Sequence, residues 1–437
     1  MKIKLIFGLL IFAGILNAAY FDATNVWLET STSGTVSKRT RDFRMFIPDN
    51  TNQIKGAIFF WPGDDDDVRW RVTQKKFQDT AASLDFALIG IGKVGNNFTV
   101  TFPAEAEKCL SNFLKIAAQV SGRLELTEVP HMHTGFSRGA WNCLNAGQAA
   151  SEQVISYAPS RGAGIPFTGY SAIVPKTVQK IPAIFLPGSE DFKATGTHSS
   201  LIKNTFQILR SNDYPVAFGV DRRADHNSDV GQSWEIGFYY MTEVYRKRVN
   251  TAGGYPEPVN GKITLPNLSL ENGWLGQSEE FNTSTANNTS LKSYPFPYIA
   301  SYNSYTGEVV NASWMPSEGA AIAYRAFAAN YGTVYESING GFRNGPVYIT
   351  NLGAFALANN NSNLTVNVNS RTFNAIQMEL YLDDVVIAQD TDGANGWAFS
   401  TVLSNAWRGV HALTVVATDA DGGQTSCFRT IVVQNEP

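Results

Sequence analysis

Residues 129–141 read Val129-Pro130-His131-Met132-His133-Thr134-Gly135-Phe136-Ser137-Arg138-Gly139-Ala140-Trp141. The first six form a short strand pattern, and residues 140–150 have the spacing of a helix. Between them, Gly135-Phe136-Ser137-Arg138-Gly139 is a Gly-x-Ser-x-Gly stretch at a strand-to-helix junction. A serine on so tight a turn holds its hydroxyl clear of the backbone, and glycines on either side keep side chains out of the close contacts. The helix starting behind Ser137 offers N–H groups and the positive end of its dipole to charge developing on a carbonyl oxygen. Such a stretch arises readily in a chain with 37 glycines, so its place among the strands gives it meaning.

Working outward, Ala57-Ile58-Phe59-Phe60-Trp61 and Phe86-Ala87-Leu88-Ile89-Gly90-Ile91 are buried-strand patterns. A helix between them carries Trp70, Phe77, Ala81 and Leu84 on one face. A second helix follows, with Ala106, Leu110, Phe113, Leu114, Ala117 and Val120 in its stripe. Strands over 154–157, 183–186 and 216–220 come after the serine, with a helix over 201–209. Strands alternating with helices at these lengths predict an α/β fold over residues 20–250, a mostly parallel sheet with helices on both faces.

A serine hydroxyl needs a base, and the base needs an orienting carboxylate. In this kind of fold they follow the serine as acid and then histidine. Of five histidines, His131 and His133 lie on the strand entering the turn and cannot fold back onto Ser137. His411 lies near the C-terminus, and His198 follows the candidate acid closely. His226 stands in Asp221-Arg222-Arg223-Ala224-Asp225-His226, in a loop between a strand and a helix starting near Ser233, and is the expected base, with His198 the alternative. Asp191, at the end of Ile184-Phe185-Leu186-Pro187-Gly188-Ser189-Glu190-Asp191, is the expected acid, with Glu190 the alternate. Asp225 is discounted because adjacent side chains rarely face each other.

The oxyanion donors expected are the backbone N–H of Arg138 and that of Asp64, in the turn Trp61-Pro62-Gly63-Asp64 after an early strand. Four aspartates, Asp64 to Asp67, read first as caps for the following helix and second as a calcium loop. Next to an oxyanion hole they should point outward or pair with Arg69 or Arg71. Tyr157, Tyr170, Phe192 and Trp234 are candidate cleft residues, although aromatics near strand ends are usually core.

Residues 40–248 resemble the α/β-hydrolases of the dienelactone-hydrolase, feruloyl-esterase and cutinase-like grouping. Pro62-Gly63-Asp64 resembles the oxyanion loop of cutinase-like polyester hydrolases. Gly135-Phe136-Ser137-Arg138-Gly139 matches the nucleophile box, Gly188-Ser189-Glu190-Asp191 the acid turn and Asp225-His226 the base turn. Arg138 departs from the small residue or Met usual after the serine. The resemblance implies a serine esterase working through an acyl-enzyme, with catalytic Ser137, Asp191 and His226 and no metal or organic cofactor.

Residues 251–344, rich in Asn, Ser, Tyr and Gly with one helix over 317–329, form an extension expected to dock on the first domain. Residues 345–437 carry period-two runs over 364–368, 377–382, 397–402 and 411–417, separated by turns such as Asp419-Ala420-Asp421-Gly422-Gly423. They predict a β-sandwich. Met378 to Ile387 and Gly409 to Asp421 resemble the bacterial Ig-like modules appended to secreted enzymes, which serve as spacers as often as binders.

Composition narrows the classes. Of 437 residues 43% are hydrophobic and 16% charged, ample for a core in each domain, and the formal net charge is −4. That balance argues against a nucleic-acid partner. Three cysteines exclude a disulfide scaffold and a four-cysteine zinc site, leaving Cys109 with Cys143 as a conceivable pair. Residues 1–4 are basic, 5–16 apolar and 17–19 small, the pattern of a secretory signal over residues 1–19; no later stretch is long enough to span a membrane. The expectation is an exported monomer cleaving esters, first on a feruloylated or acetylated polysaccharide, then on a polyester. A non-catalytic surface protein on a hydrolase scaffold and a peptidase are the other classes.

Overall fold

Eight strands form the main sheet of the computed structural model, which describes residues 19–30, 36–49, 51–63, 66–93, 103–149, 152–162, 180–189, 197–222, 224–226, 232–249, 255–259, 263–281, 291–292, 294–329, 336–338 and 342–435. They are β1 (Ala19–Thr30), β2 (Val36–Ile47), β3 (Gly56–Trp61), β4 (Phe86–Ile91), β5 (His131–Phe136), β6 (Val154–Ser160), β7 (Ala183–Phe185) and β8 (Val216–Phe218), in the order β1-β2-β4-β3-β5-β6-β7-β8. β1 pairs antiparallel with β2 and β2 with β4; every other pairing is parallel. This is an α/β-hydrolase sheet, as expected. Every residue of β3, β4 and β6 is buried, which is why they read as continuous apolar runs rather than alternations.

The hairpin of β1 and β2 is absent from the sequence reading. Its inner face carries Phe43 and Met45, while its outer face carries charges such as Asp22 and Arg44, ion-paired at 2.8 Å. An edge ribbon of this kind dilutes its apolar period with charge. The helix expected around Trp70 is also corrected: residues Val68–Thr73 form a 3-10 turn, and Trp70 is 42% exposed. Val120, placed in the apolar stripe of the second helix, is 41% exposed.

Among the described residues the helices are α1 (Lys75–Leu84), α2 (Pro103–Ser121), α3 (Arg138–Ala149), α4 (Thr197–Ser211), α5 (Ser233–Arg248) and α6 (Glu318–Ala328). Two apolar cores flank the sheet. One joins Phe59, Trp61, Phe113, Leu144 and Phe206 beneath α2, α3 and α4. The other starts from Phe60, Phe77 and Phe238 and runs on through Trp314, Tyr324 and Phe327 to Phe355, Val410, Phe428 and Val432. α5 is therefore buried almost all round.

Trp274–Gly276 is the middle strand of a small sheet, flanked by Ile299–Ser301 and Ser313–Met315. This unit closes the open edge of β8. The Ser313 hydroxyl accepts from the Phe218 N–H at 2.9 Å and donates to the Phe218 carbonyl at 3.0 Å, and Tyr324 donates to that carbonyl at 2.8 Å. Edge backbone groups that would otherwise invite another strand are thus satisfied.

Towards the C-terminus, a three-stranded sheet and a five-stranded sheet enclose a third core around Val366, Leu380, Phe399, Leu413 and Ile431. Leu364, Val366 and Val368 face inward on an alternating strand, as their period requires. The Gly409–Asp419 strand is buried along most of its length, because Val410 and Ala412 pack into the core shared with α5 and α6. Residues 1–18 lie outside the described residues, and with them most of the expected signal segment. Among the described residues no helix is long and apolar enough to cross a membrane.

Candidate active site

β5 delivers Ser137 to its turn with φ of 56°. A non-glycine residue in this left-handed region carries strain of about 1–3 kcal/mol, and the surroundings must hold it there. The Ser137 N–H donates to the Ser160 carbonyl at the end of β6 (3.2 Å), and the Ser137 carbonyl accepts from Ala140 in α3 (2.9 Å). The glycines are sterically obligatory. A Cβ on Gly135 would stand 2.1 Å from the Gly139 carbonyl oxygen, and one on Gly139 would stand 2.2 Å from that of Trp61. Gly162, which the sequence reading passed over, is equally constrained: its Cβ would lie 2.3 Å from the Ser137 carbonyl oxygen.

The His226 imidazole reaches the Ser137 hydroxyl. His226 Nε2 lies 2.9 Å from Ser137 Oγ, and the imidazole packs on the Phe136 ring at 5.2 Å between centroids. His226 hangs from the loop between β8 and α5, and buried backbone ties hold the base of that loop. Asp221 bridges to Gly188 beyond β7, its carbonyl accepts from Ser189 (2.9 Å), and its N–H donates to the Pro187 carbonyl (2.8 Å). A Cβ on Gly188 would meet the Ala224 carbonyl oxygen at 2.2 Å. The turn at Gly188 and the loop carrying His226 therefore leave the sheet side by side. The expected acid Asp191, its alternate Glu190 and the expected oxyanion donor Asp64 lie outside the described residues, as do Tyr170 and Phe192; of His198 only the backbone is described. Asp225 is exposed on the loop.

Asp221 itself is a polar clamp that sequence reasoning missed. It is 2% exposed, ion-pairs with Arg161 at 2.9 Å and accepts from the hydroxyl of Ser233 at the start of α5. It looked like one acidic residue among several in a polar loop, with Arg161 sixty positions earlier.

Arg138 opens α3, at the end where the helix dipole is positive. The Pro62-Gly63 turn lies against the nucleophile: a Cβ on Gly63 would be 3.3 Å from Ser137 Cβ. Beyond it Asp67 caps the 3-10 turn, accepting from the Arg69 N–H at 3.0 Å, and its carboxylate meets the Arg69 guanidinium at 2.6 Å. Burial tends to raise the Asp67 carboxyl, but these bonds to Arg69 hold it below its usual range. The capping and pairing read from the aspartate run therefore apply to Asp67.

Behind the turn, His131 and His133 are fully buried. Trp61 Nε1 donates to His133 Nδ1 at 3.1 Å, which leaves the His133 proton on Nε2, 2.7 Å from His131 Nδ1. Burial pushes His131 down to about 3, and burial together with the His131 neighbour takes His133 well below its ordinary value. Both rings are neutral and structural, as their strand position implied. Tyr157 is buried in the core and is not a cleft residue, and the half-buried Trp234 packs on Phe77 and under the Arg71 guanidinium. Cys109, Cys143 and Cys427 are not in disulfides, so the Cys109–Cys143 pair is not formed. Burial raises Cys143 well above the ordinary thiol range, which leaves it inert.

A strained, half-buried hydroxyl in contact with an imidazole, at a helix N-terminus, is equipped for nucleophilic attack on a carbonyl carbon. No protein-family model matches the chain, and no curated protein matches it. Among solved structures it is similar to a ferulic acid esterase, at 15% identity over 53% of this chain and 96% of that one, with a TM-score of 0.34. It is similar to a thermostable esterase at 16% identity, over 48% and 58% of the two chains, with a TM-score of 0.34. It is also similar to fibronectin(III)-like modules of Clostridium thermocellum, at 20% identity over 21% of this chain and 99% of that one, with a TM-score of 0.18.

Proposed function

We propose that this chain is an exported serine hydrolase of carboxylic esters, with residues 20–250 as its catalytic domain. The observation that carries the reading is the 2.9 Å contact between Ser137 Oγ and His226 Nε2 at a positive-φ turn. Ser137 attacks the ester carbonyl while His226 takes its proton. The N–H groups of Arg138 and Asp64 receive the oxyanion, and Asp191 orients the imidazole. Collapse of the tetrahedral intermediate expels the alcohol, which leaves with the proton from His226. Water, activated by the same imidazole, then releases the acid.

The substrate we propose is an ester carried on an extracellular polymer, a feruloylated or acetylated polysaccharide ahead of a polyester. Residues 251–344 and 345–437 would act as an extension and a sandwich module around the catalytic domain. A fluorophosphonate probe tests the reading: it should label Ser137 and lose the label in Ser137→Ala and His226→Ala. Absence of labelling in the intact protein would turn the assignment towards a binding protein on a hydrolase scaffold. Activity on feruloyl, acetyl, polyester and amide substrates then ranks the acyl classes.

A further inference from the structure

The extension does more than close the edge of β8. Together with α4 it walls a cavity of 530 Å³, within the range of small-molecule sites. Lys203 and Gln207 come from α4; Gln277, Tyr294, Tyr305 and Asn311 come from the extension. Lys203 and Glu308 bring one charge of each sign to its wall, each hydrogen-bonded to a neutral group, and Glu279 is ion-paired. Lys203 donates to the Glu279 carbonyl at 2.9 Å, the buried Glu279 carboxylate is paired with Arg222, and the Glu308 carboxylate accepts from Asn311 at 2.6 Å. What faces the cavity is then chiefly amide and hydroxyl groups, which donate and accept, together with tyrosine rings. Tyr298 stacks on Tyr305 at 5.2 Å and 26°, which steadies that ring. A pyranose has the matching chemistry, with hydroxyls round its rim and apolar C–H groups on its faces.

The cavity also lies at the right edge of the sheet. Glu279 accepts from the Val220 N–H at 3.1 Å as well as from Arg222, so its wall is bonded to the loop that leaves β8 and carries His226. β8 is three strands from β5, about 15 Å at roughly 4.8 Å per strand. We infer that this cavity binds a neutral oligosaccharide segment, holding a polymer along the carboxyl edge while an ester further along it reaches Ser137. The inference rests on the proposed function only for the link to catalysis; sugar binding itself is measured without hydrolysis.

The test is calorimetric titration of Ser137→Ala protein with xylohexaose, cellohexaose and mannohexaose. At least one should bind with Kd below about 1 mM. Gln207→Trp, which obstructs the cavity from an exposed helix position, and Tyr305→Ala should each weaken that binding about tenfold. With Ser137 restored, the Gln207→Trp protein should still hydrolyse p-nitrophenyl acetate at the parent rate. Should Tyr305→Ala fail to fold, Gln207→Trp decides. The proposal is overturned if none of the three sugars binds, if Gln207→Trp binds like the parent, or if Gln207→Trp loses small-ester hydrolysis along with the sugar.

Discussion

Arg161 and Asp221 form a buried ion pair at 2.9 Å that joins the end of β6 to the root of the His226 loop. The same carboxylate accepts from Ser233 at the start of α5, so one side chain fixes both ends of the segment carrying the base. Asp221→Asn removes the anionic half of this buried ion pair, at a cost of about 3 kcal/mol. A lower Tm and a fall in kcat larger than any rise in KM are expected. An unchanged Tm would show that the pair contributes nothing.

Ser137 separates catalysis from stability. Ser137→Ala should reduce ester hydrolysis at least about 10⁴-fold while the fold persists. Ser137→Gly should be equally inactive yet more stable than Ser137→Ala by about 1 kcal/mol, because glycine accepts φ of 56° without a clashing Cβ. Urea denaturation of the two variants measures the difference, and equal stabilities would mean the turn is unstrained.

The sandwich is welded to α5. Glu235, 1% exposed, pairs with Arg429 at 3.1 Å and accepts from the Thr430 N–H at 2.9 Å, while Phe428 meets Phe327 of α6 at 6.5 Å between rings. A chain truncated after residue 344 exposes the apolar surface that Val410, Phe428 and Val432 now cover. It should be insoluble or unfold at lower temperature, with loss of ester hydrolysis. A soluble, fully active truncation would restore the view of the sandwich as a mere spacer.

His131 and His133 set a pH dependence with a definite sign. His131 titrates near 3 in the fold and near about 6.5 when unfolded, so between these values the unfolded chain binds more protons. The His131 contribution is complete above pH 6.5 and is lost as pH falls towards 3, by up to about 1.4 kcal/mol per pH unit, and His133 acts in the same direction. His131→Asn keeps an acceptor near the Nδ1 position and removes a titrating ring, so the acid limb of its stability curve should be shallower. Denaturant midpoints from pH 7 to pH 4 check this.

Much of the fold was legible because buried strands and amphipathic helices carry their periods in the chain. The 86–91 strand lies where the apolar run places it, and the 131–136 strand and α3 differ from expectation by only about two residues at their ends. The β1–β2 hairpin was not legible because its charged outer face breaks the apolar period. Trp70 misled because a large aromatic on a short turn need not be core: it lies against Arg71, which also covers Trp234.

Ser137 and His226 could be chosen from sequence because few residues compete: one glycine-flanked serine at a strand end, and one histidine in the right loop. Their 2.9 Å contact belongs to the tertiary structure. So do the Arg161–Asp221 clamp, the Gly162 constraint and the sugar-sized cavity, since each joins groups distant along the chain that have no local signature. Periodicity and steric exclusion act between near neighbours, so the primary structure alone determined the sheet, the serine turn and the kind of base it needs. Buried charge pairing and cavity shape depend on which surfaces the whole chain brings together, and only the folded molecule decided those.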